Sequence, residues 1–216
     1  MSVDRTQTAA EIAKALLSVK AVFLRPSEPF TWASGIKSPV YCDNRLTLSY
    51  PEVRHKLENA LALTIKAEYP GCEALMGTST AGIPHAAIAS EILGLPMGYV
   101  RSSAKAHGRN NLIEGLPPVG KKVVVVEDLI STAGSAIEAA EALREAGAEV
   151  LGIASIFTYG LEKGRQNLET AGLKNVSLTN FTVLAEVALE EGYINQAEYE
   201  MAMRFIANPQ DPSWMG

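Results

Sequence analysis

Lys122–Ser135, KVVVVEDLISTAGS, is the stretch from which the rest of the chain can be read. Its four consecutive valines, Val123 to Val126, are β-branched and apolar toward both faces, as in a central parallel strand covered by helices on each side. The strand is expected over Lys122–Val126 and runs into Glu127–Ser135; beyond it Ile137, Ala140 and Leu143 recur at helical spacing up to Gly147. Strand, small-residue turn and helix together make one βα unit.

Working outward, strand-like runs alternate with amphipathic helical patterns from about residue 50 to about residue 180. A helix opened by Pro51 carries Val53, Leu57, Leu61 and Ile65 on one face. Strands are expected at Ala74–Met76, Met97–Val100 and in VLGIASIFTYG, and helices over Ile83–Leu93 and through the C-terminal third. An N-terminal helix shows a stripe of Ala9, Ile12, Ala13, Leu16 and Leu17. The fold class is α/β, a central mostly parallel sheet flanked by helices, in a single domain over residues 1–216. Its parts are an N-terminal helix and hood (1–50), a flexible loop (102–118) and a tail (208–216), NPQDPSWMG.

With 216 residues, 47% hydrophobic and 20% charged, the chain can bury a full core, which excludes disordered, collagen-like and coiled-coil readings. Its two cysteines, Cys42 and Cys72, stand far apart with no CxxC or Cys/His cluster, so neither a disulfide framework nor a zinc cage is indicated. The first residues lack the basic start and apolar run of a signal peptide, and no stretch of about 18 apolar residues offers a membrane span. The expectation is a cytoplasmic protein with no membrane partner. A net charge of -5 argues against nucleic acid as a partner.

The junction after the valines carries the chemistry. Ligands of open α/β sheets bind beyond the carboxyl ends of the strands, where a helix N-terminus offers N–H groups to an anion. Ser131, Thr132, Ala133, Gly134 and Ser135 are small enough to let a phosphate approach the backbone, and three of them add hydroxyls. Glu127 and Asp128, just before, suit sugar hydroxyls or hydrated Mg2+ rather than phosphate. A phosphorylated sugar satisfies both halves. The plain alternative, a βα turn whose Asp and Ser merely cap the helix, leaves the second acid and the extra hydroxyls without a purpose.

Two nucleotide motifs fail. GLPPVGKK, Gly115–Lys122, has Lys122 where a phosphate loop needs Ser or Thr, and it leads into a strand rather than a helix. The dinucleotide fingerprint is missing too, for no G-x-G occurs.

Between Arg101 and Lys122 five Lys or Arg residues face one acid, Glu114. About seventeen residues there, with Gly108, Asn110, Asn111, Gly115 and two prolines, lie between expected strands, and structureless loops of that length are usually functional. A lid over an anionic group is the reading, against a merely basic surface strip. Thr78–Gly82 forms a second small-residue loop. Upstream, FTWASGIKSPVYCDNR (30–45) mixes aromatics with Lys37 and Tyr41 and suits a hood over a flat anionic ring, although a surface turn with a packed Trp32 would look similar. His55 and His85 read as solvent-facing or structural.

VVVVEDLISTAGS resembles the phosphoribosyl-diphosphate signature of type I phosphoribosyltransferases, whose fold the chain is then expected to share. FTWASGIKSPVYCDNR, GTSTAGIPHA and YVRSSAKAHG resemble, in order, characteristic segments of the orotate phosphoribosyltransferase family, and the similarity extends through IFTYGLEKG. The resemblance implies a Mg2+-dependent glycosyltransferase, a pentosyltransferase, that joins orotate to phosphoribosyl diphosphate (PRPP) and releases diphosphate and orotidine 5'-monophosphate. That reaction belongs to pyrimidine (UMP) biosynthesis. By similarity, Arg101, Lys105 and His107 would be the catalytic loop residues on the diphosphate. Glu127 and Asp128 would hold the ribose hydroxyls, directly or through Mg2+, and Leu129 and Ile130 would complete the PRPP segment. Ser131, Thr132, Ala133, Gly134 and Ser135 would hold the 5'-phosphate, with Ser131, Lys37 and Tyr41 at orotate. A homodimer with active sites shared between subunits is implied as well.

Two departures stand out. Ser102 follows Arg101 where many relatives have a second basic residue, and Ala81 occupies a position at which some carry lysine. Two rivals are a phosphoribosyltransferase for another base and a PRPP-sensing regulator of the same fold. Arg101, Lys105 and His107 on a long loop favour an enzyme.

Overall fold

The computed structural model describes residues 4–31, 37–102 and 112–215. Its elements in chain order are α1 (Arg5–Ser18), β1 (Val22–Leu24), β2 (Phe30–Thr31), β3 (Lys37–Ser38), β4 (Val40–Cys42), α2 (Pro51–Glu68), β5 (Ala74–Thr78), α3 (Gly82–Leu93), β6 (Met97–Val100), β7 (Ile113–Glu114), β8 (Lys122–Ile130), α4 (Gly134–Glu145), β9 (Glu149–Thr158), α5 (Glu162–Thr170), β10 (Asn175–Asn180), α6 (Phe181–Glu190) and α7 (Gln196–Ala207). Six strands form the main sheet in the order β10-β9-β8-β5-β6-β7. All pair in parallel except β7, which runs antiparallel to β6.

The valine strand sits centrally, and its four valines are fully buried. Val124 and Val126 join the core under α1, α2, α3 and α6, while Val123 and Val125 join a second core under α4 with Leu143 and Leu168. Alternation along the pleat thus supplies both layers. From β5 the chain first builds outward to β6 and then returns to add β8, β9 and β10 on the other side. The switch in direction falls between β5 and β8, where a crevice opens beyond the strand ends. Gly82, at the start of α3, lies so close to β8 that a Cβ there would strike the Val126 carbonyl oxygen and the Thr78 hydroxyl. The loop Ser79–Ala81, whose Ser79–Thr80 peptide is cis, is thereby held beside the end of β8.

Three expectations need correction. The central strand continues beyond Val126 to Ile130, because Leu129 and Ile130 still pair with Phe157 and Thr158 of β9. The 102–118 segment is not wholly structureless: Ile113 pairs with Val100 and is 6% exposed, and Arg101 N–H donates to Leu112 at 2.8 Å. A two-residue strand has no periodicity to reveal it. The 208–216 tail is in part docked, since Pro212–Met215 forms a 3-10 helix whose Trp214 packs edge-on to Phe205 at 5.4 Å. Among the described residues no helix is long and apolar enough to cross a membrane.

Candidate active site

The loop from Ser131 to Ala133 joins β8 to α4 at the switch point. Three helices are capped by side chains: Asp4 accepts from Thr6 and Gln7 N–H, Asn180 from Val183 N–H, and Asn195 forms a capping box with Glu198, whereas α2 and α5 have no side-chain cap. The N-terminus of α4 has no side-chain cap, nor has that of α3 across the crevice. Its N-cap is Ala133, at φ 66° and ψ 9°. A non-glycine residue in the left-handed region costs of order 1 kcal/mol, and such geometry tends to be kept where a loop serves a ligand. No side chain caps α4, so its first-turn N–H groups are open, as at α2, α3 and α5; what sets α4 apart is the left-handed Ala133 at its N-cap.

Glu127 and Asp128 lie in the strand, not in the turn. Glu127 is 6% exposed, and its carboxylate accepts from the Ser135 hydroxyl and from Asp128 N–H, both at 3.0 Å. Burial pushes its pKa up to about 7, the Thr78 hydroxyl opposing and Asp128 adding to the rise. Asp128 is half-buried and is the more accessible acid. Its main-chain carbonyl accepts from the side-chain amide of Asn44 at 2.7 Å, which ties the hood segment to the end of β8. Leu129 is half-buried in the sheet, and Ile130 is core, its carbonyl accepting from Thr158 Oγ1 and Tyr159 N–H. Their side chains belong to packing rather than to the cleft.

Arg101 reaches the crevice from β6. A cleft of about 60 Å3 is bounded by Thr78, Ser79, Arg101, Ser102, Ser135 and Glu138. Arg101 Nη1 is buried without a hydrogen-bond partner among the described residues, and it forms a long ion pair with Glu114 Oε1 at 3.7 Å. A guanidinium whose Nη1 makes no hydrogen bond, beside small hydroxyls, can receive anionic oxygens. Ser102 N–H donates to Ser79 Oγ at 2.9 Å, closing one wall. Ser131 borders a different depression, of about 360 Å3, with Thr158, Gly160, Leu161 and Arg165.

The hood is only partly brought to this site. Tyr41 is 43% exposed, lies against Phe30 at 5.7 Å, and is close enough to affect the electrostatics of Tyr159. Lys37 stays within its hairpin, its ammonium donating to Thr31 Oγ1 at 2.8 Å. Lys105 and His107, the other two loop residues, lie outside the described residues, as does Trp32. Of the other histidines, His55 is exposed and His85 is fully buried on Glu58.

Sequence reasoning passed over Asn44 and Asn167. Asn44 stood inside the hood motif, but its partner is 84 residues away and no spacing rule points there. Asn167 donates to the Thr132 carbonyl at 2.9 Å from α5, 35 residues away.

Comparison with known proteins identifies the family. Residues 52–190 match the phosphoribosyl transferase domain family. An orotate phosphoribosyltransferase of Listeria monocytogenes is 58% identical over 201 residues, covering 93% of this chain and 96% of that protein. One from Bacillus cereus is 57% identical over 205 residues, covering 95% and 98%. Among solved structures, the orotate phosphoribosyltransferase of Aeropyrum pernix superposes with a TM-score of 0.73 at 30% identity, covering 85% of this chain and 99% of its own. The chain belongs to the phosphoribosyl transferase family and, within it, to the orotate phosphoribosyltransferases.

Proposed function

We propose that the chain transfers the 5-phosphoribosyl group of PRPP to orotate, giving orotidine 5'-monophosphate and diphosphate in pyrimidine synthesis. The observation that carries the reading is the uncapped α4 N-terminus behind Ala133, set beside an acidic pair at the switch point of a chain so similar to its named relatives. The N–H groups and hydroxyls of 131–135 receive the 5'-phosphate, and Asp128, with Glu127 behind it, faces the ribose hydroxyls. Arg101 binds diphosphate oxygens; Lys105 and His107 join it from the loop. As the glycosidic bond breaks, positive charge grows on the sugar and negative charge on the leaving diphosphate. Arg101 and Lys105 supply fixed countercharge there, and a closed loop excludes water. Lys37, Tyr41 and Ser131 are the orotate contacts.

Mg2+ fits this donor set in one manner. Among the described residues no cluster of three or more His, Cys, Asp or Glu forms a metal cage. One accessible carboxylate, Asp128, beside a phosphate cradle suits an ion held jointly by that acid, water and substrate oxygens. When bound, the ion would neutralise diphosphate charge. A cytoplasmic homodimer in which the 102–118 loop serves the neighbouring subunit's site completes the reading.

The test is direct. Purified protein with Mg2+ and PRPP is offered orotate, uracil, hypoxanthine or adenine; diphosphate release with orotate alone is expected. Turnover of another base without orotate overturns the assignment, and no diphosphate with any base favours a sensor. Mixing inactive Lys105→Ala and Asp128→Ala chains restores activity if sites are shared; no recovery in verified hybrid dimers refutes sharing.

A further inference from the structure

α5 follows the last central strand and carries none of the residues assigned above. Two of its positions nevertheless meet the cradle from behind. Gly164 is buried, and a Cβ there would collide with the Ser131 carbonyl oxygen. One turn later, Asn167 Nδ2 donates to the Thr132 carbonyl at 2.9 Å. The helix is anchored without these contacts: Leu168 packs in the α4-side core, and Arg144 of α4 donates to the carbonyls of Ala171 at 3.0 Å and Gly172 at 3.4 Å.

We propose that Gly164 and Asn167 are positioning residues that aim the cradle's N–H groups at the sugar phosphate. The inference rests on the phosphate-cradle reading of 131–135. A peptide bond is planar and trans, so the carbonyl of one residue and the N–H of the next point in opposite directions. Drawing the Ser131 and Thr132 carbonyls back onto α5 turns the N–H groups of Thr132 and Ala133 away from α5, out of the cradle's other face. Were either plane to flip, a carbonyl oxygen would face the phosphate instead of a donor. The left-handed Ala133, which no side chain caps, needs such a support to persist. Gly164 is the residue that lets the carbonyl nest against the helix, and Asn167 is the donor that holds its neighbour. Neither touches the ligand.

The test measures ribose 5-phosphate binding by calorimetry, in wild type and in the Asn167→Ala, Asn167→Asp, Asn167→Gln and Gly164→Ala variants. Gln166→Ala on the same helix serves as control, and melting temperatures are recorded for all. Asn167→Asp keeps the shape but loses the donor. The expected result is at least fivefold weaker binding in Asn167→Ala and Asn167→Asp, partial recovery in Asn167→Gln, and no change in the control. In turnover, KM for PRPP rises while KM for orotate stays put. Binding within twofold of wild type in folded Asn167→Ala and Asn167→Asp overturns the positioning role and leaves the cradle reading intact. Failure of the wild-type protein to bind ribose 5-phosphate overturns the cradle reading and this inference with it. Should Gly164→Ala not fold, the Asn167 series decides alone.

Discussion

The side-chain amide of Asn44 donates to the main-chain carbonyl of Asp128 at 2.7 Å, and the residue making this link between hood and central strand is fully buried. Its own carbonyl oxygen accepts from the Cys42 thiol at 3.3 Å, so both ends of the amide are engaged. Asp128 is thus held by a segment more than eighty residues upstream, and the hood cannot shift without disturbing the end of β8. In Asn44→Ala the Asp128 carbonyl loses its partner in a buried setting, which costs about 1–3 kcal/mol. Urea unfolding should show that loss as a lower midpoint at unchanged slope. An unchanged midpoint would mean that water replaces the amide without penalty.

Gly134 separates stability from binding. It opens α4, a Cβ there would meet nothing within 4 Å, and its φ is not among the positive ones. Gly134→Ala is therefore expected to leave the melting temperature unchanged or slightly raised, since alanine favours the helix by up to about 1 kcal/mol. The same open space is where the phosphate is proposed to sit. KM for PRPP should rise at least tenfold in that variant. A variant that binds PRPP normally would place the phosphate elsewhere.

Glu58 and His85 form a buried pair between α2 and α3, Nδ1 to Oε1 at 2.5 Å, and both side chains are essentially inaccessible. Burial pushes the Glu58 carboxyl above its ordinary 4.5, against the opposing pull of His85 and Arg54. A carboxyl whose pKa is higher folded than unfolded favours the folded state at low pH, and that advantage fades as pH rises from about 4.5 through the raised value. Glu58→Gln lacks this titration. Unfolding free energies of the metal-free protein, measured in small steps upward from pH 4, should show wild type losing ground relative to Glu58→Gln once pH passes about 4.5. A difference that is flat with pH, or that runs the other way, contradicts the burial argument.

How much was legible in the sequence follows from the range of each interaction. Val123–Val126 announced a strand buried on both faces because four β-branched residues in a row have few other uses, and Ser131–Ser135 followed at the one place where a parallel sheet binds ligands. Those signals are local. Asn44, Asn167 and the Glu58–His85 pair act on partners 84, 35 and 27 residues away, and an amide or a histidine carries no mark of its distant acceptor. The extension of β8 through Ile130 was hidden for a related reason: acids at Glu127 and Asp128 read as the end of a strand, whereas pairing with β9 continues past them.

The C-terminal segment gives the sharpest case of composition misleading. Two prolines, Asn208 and Asp211 suggest a solvated tail, yet Trp214 is 2% exposed, its ring edge-on to Phe205 at 5.4 Å, with Phe205 in turn 6.4 Å from Phe181 of α6. Arg204 also donates to the Trp214 carbonyl at 3.3 Å, fixing the turn that brings the indole back onto α7. Removing a large buried aromatic typically costs about 3–5 kcal/mol, because the lost burial and the void left behind add together. Trp214→Ala should lower stability by that amount in urea unfolding, and deletion of residues 209–216 should do so to a similar extent. Trp214→Phe should restore a good part of the loss, since it keeps an aromatic face against Phe205. If the segment were a solvated tail, all three variants would unfold like wild type, and the core under α1, α6 and α7 would be complete without it.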